Sequence, residues 1–543
     1  MAQFTQEQIE RPDSPNRTTI GQPQSRYPSG IRSVLSNWSA FLFCSVVAFF
    51  VSPFVVRHLG DSGYGIWTLT LSVTGYLGLL DLGVRGAVTR YVAKFHAQGV
   101  DESASRVVSS GLTIFLGAGA LAIVFSSAIA LFVVGSLKIP ESYQFIAKVV
   151  VILTGVNIAV SLISGVFGGV VTALQRFDLS NSLEIVSTAL RTSAIVLVLS
   201  HGRGLISLAL VQLSFGILTG LAYSVMAFRL YPGLTIRLSS LDKANMKLIF
   251  SFSSYAFLLQ ASSYLIFYSD SVVIGVFLPV SAVTFFAIAG NLLSYSRGLL
   301  GGMSTVSSPM ASALEARGSM DELRRVLLKG ARFGSMVFLP IGVCFLIRGR
   351  SFIGLWMGPS YAGLAGKVLV ILTVAQLVAA GNFVPGSVTL GIGRHKGIVP
   401  AVLIEGLCNL GLSIGLVHSY GIAGVAVGTA LPNLVTHLFF WPWYIRRVYG
   451  IRPITYALST WVRPALAAIP FALCTYAIQK WWPATNLFVF SIQTAFALPV
   501  VLVSFWFLCV GRQERAEYFQ RFLVPLLRIY GRSYAQSNSG VEL

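Results

Sequence analysis

The chain has 543 residues, of which 55% are hydrophobic and 11% are charged, and its formal net charge is +20 at pH 7. A soluble domain carries about 25% charged residues, so this composition excludes a soluble fold and predicts an all-α polytopic membrane protein. Because Lys and Arg lie in short loops between apolar segments, we interpret the basic charge as topology signals and contacts with membrane lipids. We therefore expect no nucleic-acid partner.

Residues 1–33 are polar and rich in Pro, Ser and Gln, which predicts a disordered cytoplasmic tail without a cleaved signal peptide. Apolar runs of about 20 residues then predict about 14 transmembrane helices, numbered here as spans 1 to 14. Their approximate centres are Cys44, Val73, Gly119, Val156, Ile195, Phe215, Leu265, Leu293, Val343, Leu372, Leu412, Gly428, Ala472 and Leu498. Residues 512–543 mix Arg with Phe and Leu and predict a cytoplasmic amphipathic tail.

The distribution of basic residues predicts the orientation of the spans. With the N-terminus in the cytoplasm, 28 Lys and Arg fall in the tails and the even-numbered loops, against 8 in the outer loops, where we place Arg348. Cytoplasmic loops carry an excess of Lys and Arg. We therefore expect a multi-pass protein of the bacterial cytoplasmic (inner) membrane, with the N-terminus and the C-terminus in the cytoplasm.

Span 2 carries the first charges inside the membrane region. The stretch "GYLGLLDLGVRGAVTRYVAKF" places Asp81 and Arg85 four residues apart on one predicted continuous helix, where they can pair on one face. Two interpretations stay open. The pair neutralises itself so that the helix can continue into the cytoplasm, or it is an inner gate that breaks and re-forms.

Two arginines lie deeper, Arg191 in span 5 and Arg297 in span 8. At about 1.5 Å per residue, Arg191 lies roughly 15 Å from the cytoplasmic start of its span, and Arg297 roughly 25 Å from the outer start of its span. These depths are similar, so we hypothesise a cationic clamp that binds an anionic headgroup in a cavity between two lobes. The alternative is local neutralisation, for which Glu184 lies two turns before Arg191.

Span 7 combines an acid with aromatic hydroxyls. Asp270 lies roughly 12 Å from Arg297 in depth, so we do not expect a direct pair. The tyrosines of this span can hydrogen-bond sugar hydroxyls or neighbouring helices; they are Tyr255, Tyr264 and Tyr268. The candidate gating or ion-coupling residues of the whole chain are Asp81, Arg85, Glu184, Asp270 and Glu405.

An internal repeat links the two halves of the chain. "SLEIVSTALRTSAIVLVLSHGRGLISLAL" from Ser182 aligns with "LIEGLCNLGLSIGLVHSYGIAGVAVGTAL" from Leu403, and spans 2 and 8 match at nearly the same offset. We predict two parallel six-helix repeats that form a V-shaped, two-lobed transporter. The predicted parts are the N-lobe (34–230), a cytoplasmic linker (231–247), the C-lobe (248–447) and two additional C-terminal helices, spans 13 and 14 (448–511).

Three motifs carry a resemblance to a known family. "RHLGDSGYGIWTLTLSVTGYLGLLDLGVRGAVTRYVAKF" resembles the first hairpin of the polysaccharide-transport family of the multidrug/oligosaccharidyl-lipid/polysaccharide flippase superfamily. "YSDSVVIGVFLPVSAVTFFAIAGNLL" resembles the hairpin that opens the second half of those proteins, with Asp270 at the acidic position, and "GIAGVAVGTAL" resembles the start of span 12. The likeness covers most of residues 34–446.

The resemblance implies a flippase that works by alternating access. It would move isoprenoid-pyrophosphate-linked oligosaccharides, such as repeat units of O-antigen lipopolysaccharide or of exopolysaccharide, from the inner to the outer leaflet. A proton or sodium gradient is the candidate driving force. Polysaccharide synthesis and polymerisation proteins are candidate partners.

Three other functions are alternatives to this one. A drug/ion antiporter of the same superfamily usually has twelve spans and a deep acidic site in its first half, and a peptidoglycan-precursor flippase has a motif set that we do not find here. A membrane-embedded glycan polymerase or ligase usually needs a long outer loop, which this sequence lacks. We find no nucleotide-binding loop or paired metal motif. We therefore expect a transporter, not an enzyme, without cofactor or metal.

Overall fold

The computed structural model describes residues 30–236 and 243–518, with side chains described outside 30–35, 243–256, 304–305 and 518. Helices dominate, and the described part of the chain contains no strand. The predicted N-terminal tail lies outside the described residues up to residue 29. The same holds for residues 237–242 of the predicted linker and for residues 519–543 of the predicted C-terminal tail.

The first six spans begin with a bent helix. Gly30–Gly75 carries span 1 and the start of span 2, bends at Gly60, where φ is 69°, and is followed by Val84–Ala97, which completes span 2. Spans 3 to 6 are the helices Asp101–Ala128, Glu141–Ala173, Phe177–Ser200 and Leu205–Leu230.

The next eight spans include a second bent helix and a broken one. Spans 7 to 9 are Lys243–Phe277, Ser281–Ala316 and Met320–Trp356, and span 10 is divided into Leu364–Ala379 and Phe383–Gly391. Val399–Val435 carries spans 11 and 12 and bends at Gly421, and span 12 ends in Trp441–Tyr449. Span 13 comprises Pro453–Ala457 and Arg463–Trp481, and span 14 is Leu487–Leu508.

The prediction of 14 spans is confirmed. Eleven helical segments of the described chain are long and apolar enough to cross a membrane, and two of them, 36–97 and 394–449, bend and carry two spans each. The helix Ser281–Ala316 supplies the remaining span. A short helix, Arg512–Tyr518, follows span 14.

The packing confirms two lobes related by a repeat. Span 1 packs against span 5 within the N-lobe, and the lobes meet where span 1 packs against span 8 and span 2 against span 7. Spans 1 and 7 are repeat equivalents, and so are spans 2 and 8. A two-fold axis along the membrane normal would exchange span 1 with span 7 and span 2 with span 8. It would therefore convert the contact between spans 1 and 8 into the contact between spans 7 and 2, as observed.

Hydrogen bonds tie the lobes together at one face of the bundle. The even-numbered spans end at the opposite face, which carries basic residues such as Lys94, Arg229, Arg317 and Arg446 and is named the basic face. Away from it, the Thr284 hydroxyl donates to the Asp61 carbonyl oxygen over 2.7 Å, and Lys138 Nζ donates to the Phe277 carbonyl oxygen over 2.7 Å. The Tyr361 hydroxyl also donates to Asp61 Oδ1. The lobes are thus joined at the face opposite the basic one.

Spans 13 and 14 are attached to span 9 by a buried arginine. The prediction that Arg348 lies in an outer loop is wrong, because span 9 continues to Trp356 and Arg348 is 1% exposed. Its Nε donates to Gln479 Oε1 over 3.0 Å, its Nη2 donates to Gln493 Oε1, and its guanidinium lies 4.2 Å from the ring centroid of Phe490. Neutral amide oxygens and an aromatic face thereby solvate the charge inside the protein.

Candidate functional site

Span 2 is not the continuous helix that its sequence predicted. A 3-10 helix, Tyr76–Asp81, follows the first segment, and Leu82 and Gly83 then adopt left-handed φ angles of 49° and 76°. Glycine takes this conformation freely, so the "DLG" step is where the helix can break. The Asp81 carboxylate accepts a hydrogen bond of 3.4 Å from the backbone N–H of Arg85, at the start of the new helix.

Asp81 and Arg85 still meet across this break. Arg85 Nε lies 3.7 Å from Asp81 Oδ2, and both side chains are partly exposed. Arg85 Nη2 also donates to the carbonyl oxygen of Ser161 in span 4, over 3.3 Å. Because span 4 belongs to the same lobe as span 2, these contacts support the structural interpretation of the pair, and the gate stays a prediction.

A cavity of about 440 Å³ lies between the lobes, and spans 2, 7, 8, 10 and 12 line it. Among the described lining residues, those of the N-lobe all belong to span 2, so most of this wall comes from the C-lobe. The polar residues of the lining are Thr68, Ser72, Tyr264, Tyr268, Asp270, Ser271, Asn291, Ser294, Arg297, Gln376, Thr429 and Asn433.

Arg297 brings a positive charge to this cavity. Its guanidinium lies 4.9 Å from the ring centroid of Phe267, and its Nη2 donates to Ser294 Oγ over 3.2 Å. Within the described part of the chain, Arg297 forms none of the ion pairs, and the expectation that it does not pair directly with Asp270 is confirmed. A cation in this setting is available to an anionic ligand.

Asp270 lies on the span 7 wall and is 4% exposed. Its Oδ2 accepts a hydrogen bond of 2.8 Å from Thr429, while its Oδ1 has no hydrogen-bond partner among the described residues. The Thr429 hydroxyl lies 3.1 Å from the Val425 carbonyl oxygen, which lies 3.4 Å from Ser413 Oγ. Oxygen atoms of spans 7, 12 and 11 thus lie in a row. A carboxylate oxygen can bind a proton, and oxygen ligands suit hard cations.

Two tyrosines form the boundary between span 7 and span 2. The ring centroids of Tyr264 and Tyr268 are 5.2 Å apart, and both rings press against glycines of span 2. A Cβ atom on Gly75 would lie 2.6 Å from the Tyr268 ring, and one on Gly78 would lie 2.8 Å from the Tyr264 hydroxyl. Glycine is therefore required for this close approach. The side chain of Tyr255 lies outside the described residues.

The other predicted residues lie elsewhere. Arg191 is not part of the cavity lining, and its Nη2 lies 3.5 Å from Thr188 Oγ1, which donates to Glu184 Oε1 over 3.3 Å. Glu405 is 6% exposed and accepts a hydrogen bond of 2.8 Å from Asn433, which lines the cavity. The structure therefore brings Asp270, Arg297, Tyr264 and Tyr268 together. It leaves Asp81, Arg85, Glu184 and Arg191 outside the cavity.

Some cavity residues were missed by the sequence reasoning, notably Gln376, Thr429 and Asn433. The sequence does contain a signal for these residues, because each is a polar side chain within a long apolar segment of span 10 or 12. Uncharged polar residues are common in membrane helices, so only their convergence on one cavity distinguishes them. The described part of the chain contains no group of three or more His, Cys, Asp or Glu that could hold a metal ion.

Comparisons with known proteins agree with this architecture. The uncharacterized membrane protein EpsK of Bacillus subtilis is 22% identical over 498 residues, which cover 90% of this chain and 97% of EpsK. The probable low-salt glycan biosynthesis flippase Agl15 of Haloferax volcanii is 23% identical over 416 residues, which cover 75% of this chain and 83% of Agl15.

Solved structures share the fold. The lipid II flippase MurJ, in an inward closed conformation, superimposes with a TM-score of 0.70 at 14% identity, over 88% of this chain and 98% of MurJ. At this identity the similarity establishes the common two-lobed architecture. The profile of the family described as "Polysaccharide biosynthesis protein" matches residues 31–315, just over half of the chain. The chain therefore belongs to this family of polysaccharide biosynthesis proteins.

Proposed function

We propose that the protein is a flippase that moves isoprenoid-pyrophosphate-linked oligosaccharides from the inner to the outer leaflet by alternating access. The observation that carries this proposal is the cavity between the lobes, where Arg297 forms no ion pair with any described residue and lies beside aromatic rings and hydroxyls. An arginine suits a pyrophosphate or an acidic sugar, since its guanidinium donates several hydrogen bonds to phosphate or carboxylate oxygens. The relatives named as flippases support the same function.

Within this proposal, Arg297 binds the anionic part of the headgroup, and Tyr264 and Tyr268 contact the sugars. A cavity of about 440 Å³ is in the size range of small-ligand sites, so it accommodates only part of such a headgroup. The lobes would have to move apart for a longer oligosaccharide to pass. The other predicted cation, Arg191, does not line this cavity and contacts the neutral hydroxyl of Thr188 on its own span, which argues against a two-arginine clamp.

We further propose Asp270 as the ion-coupling residue. Its Oδ1, which has no hydrogen-bond partner among the described residues and lies beside the hydroxyl of Thr429, offers a place for a proton or a sodium ion. Binding there would alter the contact between spans 7 and 12, which share the cavity wall with Arg297. This connection would let an ion gradient drive the alternation of the lobes. Glu405 lies one hydrogen bond from the same wall, through Asn433, and is the second candidate.

The proposed orientation places the basic face in the cytoplasm of an inner membrane, with both termini on that side. Cytoplasmic loops are enriched in Lys and Arg, and the basic residues of this chain concentrate at the ends of the even-numbered spans. In this orientation, the joined face would lie outside, and the structure would correspond to a state closed toward the outside. Polysaccharide synthesis and polymerisation proteins would deliver and consume the cargo.

A drug/ion antiporter is the second candidate, because it would share the fold, and a glycan polymerase or ligase is the third. The charged residues of the cavity distinguish the proposed flippase from the antiporter. An antiporter of organic cations would require an acidic cavity, whereas this cavity combines Asp270 with Arg297, which has no ion-pair partner among the described residues. We expect transport without covalent chemistry on the cargo.

The test of the proposed function is the accessibility of lipid-linked oligosaccharide in cells with and without the protein. A membrane-impermeant, glycan-modifying reagent reports how many repeat units face outward. We expect the units to accumulate on the cytoplasmic face when the protein is absent. If the distribution between leaflets is unchanged while the outer polymer disappears, the protein acts after translocation, and the polymerase or ligase function replaces ours.

A further inference from the structure

A second concave surface lies on the other side of span 2. This groove, of about 440 Å³, runs between spans 2 and 3, and its lining is almost entirely apolar. Span 2 contributes Val73, Tyr76 and Leu80, and span 3 contributes Phe125, Ala128 and Phe132. We name it the span 2–3 groove.

The groove coincides with departures from α-helical geometry in both of its walls. Span 2 is a 3-10 helix over Tyr76–Asp81, and span 3 contains a π-helical turn at Ile129–Val133. A 3-10 helix is narrower than an α-helix and a π-turn is wider, so their rows of side chains do not interlock as two α-helices would. Because the side chains of the two irregular segments do not interlock, the concave surface between them stays unfilled.

The span 2–3 groove shares a wall with the central cavity. The ring of Tyr76, in the groove, lies edge-on to the ring of Tyr268, in the cavity, with 5.7 Å between their centroids. Span 2 lines the cavity with Ser72 and the groove with the next residue, Val73. A layer of tyrosine rings thus separates a charged, polar cavity from an apolar surface at the same level of the bundle.

We propose that the span 2–3 groove holds the isoprenoid chain of the lipid-linked substrate while the headgroup occupies the central cavity. This inference rests on the proposed function. An amphiphile whose headgroup lies beside Arg297 must place its chain close to the cavity wall, and the groove provides an apolar surface that adjoins that wall. The boundary rings of Tyr76 and Tyr268 would move apart to let the linkage between headgroup and chain pass.

The groove would orient the substrate more than it would increase its affinity. An isoprenoid chain in the bilayer is already in an apolar solvent, so its transfer to the groove removes no surface from water. What the groove adds is van der Waals contact with Phe125, Phe132 and Tyr76, which fixes the direction of the chain relative to the cavity. Filling the groove should therefore slow translocation and reduce the occupancy of the groove by the chain several-fold, with little effect on the overall affinity for the substrate or on folding.

Photochemical labelling of the full chain in lipid nanodiscs tests this inference. The probe is a polyprenyl phosphate with a benzophenone on its chain, and the matched probe is a phospholipid with a benzophenone on an acyl chain. We expect the polyprenyl probe to label peptides that contain Tyr76 or Phe132, and unlabelled polyprenyl phosphate, but not phospholipid, to compete. Equal labelling by both probes would mean an ordinary lipid contact, and labelling confined to other spans would place the chain elsewhere. Either result overturns the proposal.

A matched pair of variants adds an independent test. Ala128→Trp fills the groove, whereas Ala120→Trp places the same ring on an exposed, lipid-facing position of span 3 that does not line the groove. We expect Ala128→Trp to lower polyprenyl labelling and flipping several-fold and Ala120→Trp to leave both unchanged. If the two variants flip equally well, the groove has no role in transport and the proposal fails. If the wild-type protein shows polyprenyl labelling in the groove but flips no oligosaccharide, the proposed function fails separately from the binding site.

Discussion

The two lobes have the same architecture but bring different groups to the cavity between them. Glu184 and Glu405 occupy equivalent positions of the repeat, yet Glu184 is exposed and bonds a threonine of its own helix, whereas Glu405 is buried and bonds Asn433 across two spans. At the same offset, Asp270 corresponds to Phe49 and Thr429 to Leu208. The repeat therefore fixes the positions of the helices, and the polar site is built largely in one lobe.

The largest expected difference concerns the two arginines. Arg297→Ala removes the cavity cation, and the loss of one charged hydrogen-bonding contact, about 1.5–3 kcal/mol, should reduce flipping about 10- to 100-fold. Arg191→Ala should change flipping less than about 2-fold, since the hydrogen bond from Arg191 to Thr188 lies within one helix, away from the cavity. The measurement is outward accessibility of lipid-linked oligosaccharide at equal amounts of inserted protein. Equal losses in both variants would restore the two-arginine clamp.

The next comparison is between acids. Asp270→Asn keeps the shape of the side chain but removes its charge, so we expect about a 10-fold loss of flipping and loss of its dependence on the ion gradient. Glu184→Gln makes the same chemical change at an exposed position of the other lobe and should leave both unchanged. Flipping is measured with and without an ionophore that collapses the gradient. An Asp270→Asn protein that still responds to the ionophore would place ion coupling elsewhere.

Substitution of the two equivalent glutamates should lower the unfolding free energy of the protein by different amounts. Glu405→Ala leaves the amide of Asn433 without its buried acceptor, which should lower the unfolding free energy by about 1 kcal/mol. Glu184→Ala should lower it by less than about 0.5 kcal/mol, because the side chain is exposed. Denaturant unfolding of the two variants in the same detergent gives the difference. Equal effects would show that the burial of Glu405 does not distinguish the lobes energetically.

The break in span 2 can be tested by substituting two glycines with alanine. The two substitutions should change the stability of the protein in opposite directions. Gly83 has a left-handed φ of 76°, so Gly83→Ala should destabilise the protein by about 1–2 kcal/mol. Gly86 lies inside the following helix with open space around its Cα, so Gly86→Ala should stabilise it by up to about 1 kcal/mol. Thermal unfolding in detergent compares them. Were span 2 a continuous helix, both substitutions would stabilise.

Much of the fold could be predicted because the bilayer imposes it. Spans are set by the length of apolar runs, the turn at Gly60 matches the turn between spans 7 and 8, and the repeat follows from the spacing of Glu184 and Glu405. The expected depth of a residue follows in the same way, since each residue of a helix advances about 1.5 Å. The lengths of the spans, the repeat and the expected depths depend only on position along the chain.

The candidate site could be predicted only in part, because depth does not give the direction in which a side chain points. Arg191 and Arg297 have similar predicted depths, yet only Arg297 lines the cavity, since helix rotation is set by packing against neighbouring spans. The break after Asp81 was missed for a related reason: Leu82 in a left-handed conformation requires support from tertiary contacts that the local sequence does not specify. The lobe boundaries near residues 230 and 447 stay predictions.

The smallest expected effect concerns the helix after span 14, which has no equivalent in the repeat. Glu514 accepts hydrogen bonds of 2.7 and 2.8 Å from Arg332 and lies 3.3 Å from Lys329. Partial burial opposes ionisation, but Arg332, the backbone N–H of Gly511 and Lys329 together hold the pKa of Glu514 below its ordinary value. A carboxyl whose pKa is lower in the folded state stabilises that state above its unfolded pKa, and the stabilisation is lost as the pH falls through the folded value.

We therefore expect the helix Arg512–Tyr518 to stay bound to span 9 at neutral pH and to detach under acidic conditions. Glu514→Gln should detach it at every pH, while Glu517→Gln, whose carboxylate is more exposed and lies 3.9 Å from Lys329, should have a smaller effect. Hydrogen exchange of the backbone between residues 512 and 518, followed against pH, measures the attachment. Exchange in the wild-type protein that does not increase as the pH falls would show that apolar contacts, and not the ion pair, hold this helix on the C-lobe.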